Sequence, residues 1–339
     1  MARHHRPSSS VSSSVSGWRR ARRSGGLTRV SLLCLMALSV GLLPGVSSAA
    51  PDEESARGRP FLWRIGVEPP SYLFGTIHLP DDRVLDLHPA VAGALDGADV
   101  VYTETPMDAA TEQRALQLSV LPAEATLGSV LPQELYLRLE RYLVARGIPM
   151  LAFSRLKVWT VAVALPMLEW MQQGQAKPPL DKFLAQRASS QGKQTDALET
   201  VEEQVAAMES MGQEAQVAML RQTLEQLESA ASGGTNPIEE LLLAYLTGNE
   251  DTLLAVSRAS MPEDDPLSEK VEKVLIFDRN GTMSETIRKK LAAAPGKSHF
   301  FAVGALHYPG ERGIIALLRK QGLEVERVDR LEDPTRDDT

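Results

Sequence analysis

Strand patterns occupy the two ends of this chain and helical patterns the long stretch between them, a separation that constrains the fold more than any other feature. Phe61-Leu62-Trp63-Arg64-Ile65 and Ser71-Tyr72-Leu73-Phe74-Gly75 flank Gly66 to Pro70, whose glycine and prolines suit a turn, so the pair reads as a hairpin. Val100-Val101-Tyr102-Thr103-Glu104 reads as a third strand, halted by Pro106. From about residue 111 to 292 the apolar period is helical, with segments at 132–146, 157–171, 180–191, 214–231, 238–247 and 282–293, most of them stopped by glycine. Pro166 predicts a kink in the second of these. Strands return at Ser298 to Val303 and Leu323 to Val328, with an amphipathic helix, Glu311 to Lys320, between them. Apolar strands at both ends must bury their faces together. The expectation is therefore one mixed α/β (α+β) domain over 60–330: a central sheet built from the N- and C-terminal segments, covered by a helical middle.

Charge is distributed unevenly. Residues 1–49 hold seven arginines and no acidic residue, then an apolar run from Leu32 to Leu43 and the small residues Ser47-Ser48-Ala49. That is the pattern of a secretory signal peptide cleaved after Ala49. The run is shorter than the ~20 residues a membrane-spanning helix needs, which disfavours the alternative of an uncleaved anchor. Cleavage moves the formal net charge from −8 to −15 and removes Cys34, the single cysteine. The exported chain, periplasmic or secreted, is then acidic and thiol-free. Such a balance argues against nucleic acid as a partner, and any metal must be held by His, Asp, Glu or water. Residues 50–59 read as a linker and 331–339 as a frayed tail.

Four histidines follow the leader: His78, His88, His299 and His307. Two close the same phrase, Gly75-Thr76-Ile77-His78 after a strand and Gly304-Ala305-Leu306-His307 after another. Gly75 and Gly304 would allow close approach to the backbone, and imidazole suits a divalent metal, although a half-buried structural histidine fits the spacing as well. Glu104 ends a valine-rich strand. Glu199 follows Lys193 to Leu198, a plausible short strand, and either joins a site or caps the next helix. Glu202 and Glu203 read as a solvated face. His88, beside Pro89, reads as surface, and His299, inside a strand, as structural. For Arg279 the plain reading is a salt bridge to Asp278 or Glu285.

Together these segments resemble the TraB/PrgY/GumN family, whose animal relatives include the Tiki metal-dependent proteases. The matching residues are Phe61-Leu62-Trp63, Leu73 to Pro80, Tyr102-Thr103-Glu104, Leu156 to Trp159, Leu180 to Leu184, Gly192-Lys193, Leu198 to Gln204, Arg279-Asn280 with Met283, and Val303 to Gly313. The resemblance implies a fold related to erythromycin esterase and the ChaN-type haem-binding proteins. It also implies a hydrolase site with a divalent metal ion (Mn2+, Co2+ or Zn2+) acting on a peptide or protein substrate. Carried over by position, His78 and His307 are metal or catalytic residues. Glu104 and Glu199 are the site carboxylates, one a ligand and the other a base. Arg279 stabilises an oxyanion or a substrate carboxylate, and Asn280 orients a neighbour. Two departures stand out: Val158 replaces a usual proline, and Ala305-Leu306 replaces a usual Ala-Gly pair, which narrows the approach to His307. Two other readings remain at this point. One is a haem- or metal-binding module using His78, His307, Tyr102 or Tyr308; the other is a non-catalytic signalling protein using its glutamine-rich helices.

Overall fold

The computed structural model describes residues 59–172, 177–259 and 266–328. The expected signal peptide, nearly all of the linker and the C-terminal tail lie outside the described residues. The class is α/β, with a six-stranded mixed sheet in the order β4-β3-β5-β2-β1-β6. The strands are β1 (Leu62–Ile65), β2 (Ser71–Thr76), β3 (Val100–Thr103), β4 (Gln194–Ala197), β5 (His299–Gly304) and β6 (Val325–Arg327). β1 is antiparallel to both β2 and β6, whereas β2, β5, β3 and β4 run parallel. The C-terminal β5 thus lies between β2 and β3, joining the two ends as their apolar patterns require. Every residue of β3 and β5 is buried, as parallel strands covered on both faces demand. One edge strand, β4, comes from the helical middle.

The principal helices are α1 (Pro89–Gly97), α2 (Ala109–Leu118), α3 (Gln133–Val144), α4 (Val158–Gln172), α5 (Leu180–Ser190) and α6 (Val201–Ser210). They continue with α7 (Gly212–Ala231), α8 (Pro237–Leu246), α9 (Glu250–Arg258), α10 (Pro266–Glu272), α11 (Asp278–Ala293) and α12 (Ile314–Lys320). α4 runs through Pro166 without interruption. A π-helical turn, Lys273–Phe277, joins α10 to α11. The helix expected from Glu311 begins only at Ile314. Gly310 takes φ +77°, and a Cβ at Gly313 would fall 2.1 Å from the Tyr308 carbonyl oxygen, so these residues form a tight loop instead. The middle also does more than cover the sheet. α3, α4 and α7 bury Leu135, Leu139, Leu143, Val161, Leu165, Leu220 and Leu224 against one another in a core of their own. Among the described residues no helix is long and apolar enough to cross a membrane.

Candidate functional site

Parallel strands deliver their following residues to the carboxyl end of a sheet, where α/β proteins commonly bind ligands. Here the register pairs Thr76 with Gly304 and Thr103 with Ala197. His78 therefore leaves β2, Glu104 leaves β3, Glu199 follows β4 and His307 follows β5, all at the same end. Arg279 and Asn280 enter from the first turn of α11 and are buried. All six residues singled out in the sequence meet in one cluster, and Glu104, Glu199, Arg279, Asn280 and His307 are each no more than 6% exposed.

Its centre lies beside Gly304. The Gly304 N–H donates to Glu104 Oε1 at 2.7 Å. A Cβ on that glycine would sit 3.1 Å from Glu104 Oε1, 3.4 Å from the His307 ring and 3.6 Å from His78 Nε2. His78 Nε2 and His307 Nε2 face the same carboxylate oxygen at 3.8 and 4.0 Å. Each imidazole is fixed through its other nitrogen: His78 Nδ1 on Asp181 Oδ2 at 2.6 Å, His307 Nδ1 on Asn280 Oδ1 at 2.7 Å. The Thr76 hydroxyl donates to Asp181 Oδ1 at 2.7 Å. Gly75 plays a different part, because a Cβ there would fall 2.7 Å from Phe61 Cβ and 3.1 Å from Ala305 Cβ, in the packing beneath the site.

Arg279 ties the carboxylates together. Its Nη2 donates to Glu104 Oε2 at 2.6 Å and Glu199 Oε2 at 2.7 Å, its Nε to Glu199 Oε2 at 3.0 Å, and its Nη1 to the Leu275 carbonyl at 3.1 Å and His307 Nε2 at 3.0 Å. All five N–H donors of the guanidinium are thereby engaged, leaving none for the oxyanion or substrate carboxylate expected of this residue. The expected surface partners lie elsewhere, Asp278 with Lys273 and Glu285 with Arg288. Glu199 is likewise no helix cap; Thr200 and Glu203 form a capping box at the start of α6.

Burial and charge split the titrating groups. Burial alone would lower the His78 pKa, but Asp181 and Glu104 outweigh it and push it up to about 9. For His307 burial and the Arg279 cation act together and push the pKa down to about 3. Glu104 would be raised by burial, yet Arg279 and the two histidines hold it well below the usual carboxylate range. Burial prevails at Glu199, whose pKa lies above the ordinary value despite Arg279.

Three members were missed in the sequence. Asp181 orients His78, Thr76 supports Asp181, and the Gln204 amide donates to Glu104 Oε2 at 3.1 Å. Asp181 and Gln204 lay within matched segments without a role assigned to them; their placement beside Leu180 and Val205 on apolar helix faces was the available signal. His299 is structural as expected, its ring packed against those of Tyr102 and Phe301. His88 is half-buried and caps α1, its Nδ1 accepting from the Ala90 N–H.

A cavity of about 500 Å3 opens beside the cluster, with Thr76, His78, Gly304 and His307 in its wall. Neither Tyr102 nor Tyr308 lines it, and the Tyr308 hydroxyl lies within hydrogen-bond reach of the Phe74 and Phe301 carbonyls.

In donor chemistry, two oriented imidazoles and an ionised carboxylate converging on one point fit a divalent metal ion. As they stand, no three His, Cys, Asp or Glu side chains among the described residues are set to hold one, and the fourth partner at this point, Arg279, occupies His307 Nε2.

Comparison with known proteins agrees with the motif reading. The chain is 32% identical over 308 residues to Metalloprotease TIKI1 of Danio rerio, covering 78% of this chain and 62% of the relative. It is 33% identical over 312 residues to Metalloprotease TIKI2 of the same species, covering 78% and 60%. It is 27% identical over 269 residues to the uncharacterized protein YbaP of Shigella flexneri, covering 78% and 95%. The match spans about three fifths of the length of the TIKI relatives from Danio rerio. No solved structure matches it. The model of the TraB/PrgY/gumN family matches residues 61–327, and the chain belongs to that family.

Proposed function

We propose that this protein is an exported, metal-dependent peptidase that cleaves a peptide or protein substrate at the strand-end cluster. The observation that carries the reading is the convergence of His78 Nε2, His307 Nε2 and Glu104 Oε1 beside Gly304, each ring held by a partner on its far nitrogen. Relatives named metalloproteases support it. His78, His307 and Glu104 would hold the cation, Mn2+, Co2+ or Zn2+. When bound it supplies polarisation of the scissile carbonyl and acidification of a water molecule.

The chain's own residues do the rest. Asp181 and Asn280 fix the ring orientation of the histidines through Nδ1. Glu104, which Arg279 keeps ionised, is the donor of the pair, and Glu199, whose proton affinity burial raises, takes the proton. Arg279 acts as a positioning residue that holds both carboxylates. The leader of residues 1–49 directs export.

The test is metal analysis of the purified protein, followed by cleavage of a peptide library with and without chelator. Chelator-sensitive cleavage restored by Mn2+ or Co2+ is expected. Glu104→Gln should lose metal and activity together, whereas Glu199→Gln should keep metal and lose activity by about 100-fold or more. A protein that binds no divalent ion and cleaves nothing in the library would sink the reading.

A further inference from the structure

The cavity beside His78 and His307 takes apolar matter. At about 500 Å3 it falls within the roughly 300–1,000 Å3 typical of sites that enclose ligands. Away from the histidines its wall includes Met167, Met208, Met219, Leu241, Leu253 and Leu275. The three methionines come from three different helices, α4, α6 and α7. Unbranched thioether side chains repack around varied shapes. Of the charges in the wall, Arg258 donates to Glu272 at 2.7 Å, whereas Glu311 and Arg312 lie exposed, Arg312 over the Phe277 ring at 3.4 Å. Among the described residues the lining away from the histidines is thus mainly apolar.

We infer that this cavity is the subsite for large apolar side chains flanking the scissile bond, so that the substrate class is peptides with leucine- or phenylalanine-rich segments at the cleavage point. The inference rests on the peptidase reading for cleavage, but not for binding. A peptide fits the wall better than one fixed shape, since three flexible methionines accommodate several side chains in turn. Haem has fewer ligands to choose from there, because neither Tyr102 nor Tyr308, the tyrosines considered as axial ligands, lines the cavity.

Ala218 in α7 and Leu254 in α9 line the cavity and belong to no part of the cluster. Ala218→Phe and Leu254→Trp are two separate ways to fill it, each checked for an unchanged thermal transition. Ten-residue peptides on a Gly-Ser frame, carrying either Leu-Leu-Phe or Ala-Ser-Ala at the centre, are the probes. In calorimetry the Leu-Leu-Phe peptide should bind the full chain, and either filled variant should weaken it by about tenfold or more. In kinetics the same variants should raise KM for that peptide while kcat stays within about twofold. If the peptide binds in this cavity-dependent way yet is never cleaved with any metal, the subsite stands and the peptidase reading falls. If binding ignores the apolar residues, or if both filled variants bind it as the parent does, the subsite is overturned. It is also overturned if palmitate or hemin binds in a cavity-dependent way and the peptide does not.

Discussion

Arg279 and Asp181 are the residues on which the charge balance of the cluster depends. Replacing Arg279 with Ala leaves Glu104 and Glu199 buried beside each other without their guanidinium. Removing one partner of a buried ion pair costs about 3–5 kcal/mol, so urea unfolding at pH 7 should show a loss of that size. If those carboxylates also meet a cation, added Mn2+ should restore part of the lost stability in Arg279→Ala and raise it further with concentration. A midpoint indifferent to Mn2+ would count against Glu104 as a ligand. His78 supplies a pH test of the metal-free protein. Its pKa is near 9 when folded and about 6.5 when unfolded. A pKa raised on folding contributes stability that is complete below the unfolded value and lost as pH rises through the folded one. Thermal midpoints should therefore fall between about pH 6.5 and 9 in the parent protein and change much less in Asp181→Asn, where the carboxylate that raises His78 is gone. His78, Glu104, Glu199 and His307 are legible in the sequence because each follows a β-rich run, where a polar side chain has no helical face to solvate it. From its neighbours alone Arg279 reads as a surface ion pair, since Asp278 and Glu285 suggest local partners and burial selects distant ones; the family resemblance is what places it in the site. Asp181 and Gln204 have no such mark: each takes an apolar position on an otherwise ordinary amphipathic helix.

The two Gly-x-x-His elements look alike as strings and differ as structure. Gly304 has φ −50° and ψ 132°, a conformation open to any residue, so Gly304→Ala should fold. Its new methyl would press on Glu104 Oε1 and stand in the space between the two histidines. Metal binding read by calorimetry should weaken by about tenfold or more, with a small change in thermal midpoint. Gly75→Ala has the opposite profile. Its methyl meets Phe61 Cβ and Ala305 Cβ in the sheet's packing, where overpacking costs about 1–3 kcal/mol. Stability should drop while any metal binding per folded molecule is retained. Equal effects of the two changes on metal binding would show that the site does not lie beside Gly304. The helical segments expected at 132–146, 157–171, 180–191, 214–231, 238–247 and 282–293 lie within about a turn of α3, α4, α5, α7, α8 and α11, whereas α1, α2, α9 and α10 are not singled out in the sequence. Two further departures have local causes. Residues 311–313 form a loop because Gly310 and Gly313 turn the chain tightly against Tyr308 and Pro309, and the π-helical turn before Arg279 has no counterpart in the apolar period.

At the scale of the whole molecule the site exists because the chain closes on itself. β1 and β2 arise within residues 62–76, whereas β5 and β6 arise within 299–327, and the two groups pair directly. Strand patterns at both ends make that closure legible in sequence, since neither end can bury its apolar strands alone. The placement of β5 between β2 and β3 is not legible, because register and order depend on packing that no single strand encodes. This order separates the centre of the sheet from its edge in a truncation experiment. Ending the chain before Ser298 removes β5 together with α12 and β6, empties the middle of the sheet and exposes Leu73, Val101 and Tyr102, all buried in the intact protein. It also removes Gly304 and His307 from the cluster. Such a chain should show no cooperative thermal transition, and neither should the separate fragments 50–150 and 200–339, each of which holds only part of the sheet. Replacing only Val325 with Ala acts on the edge strand, which pairs with β1 alone. That variant should keep one cooperative transition at a lowered midpoint. A sharp transition from the chain ending before Ser298, measured by circular dichroism and calorimetry together, would mean that the N-terminal strands and the helical middle form a domain without β5.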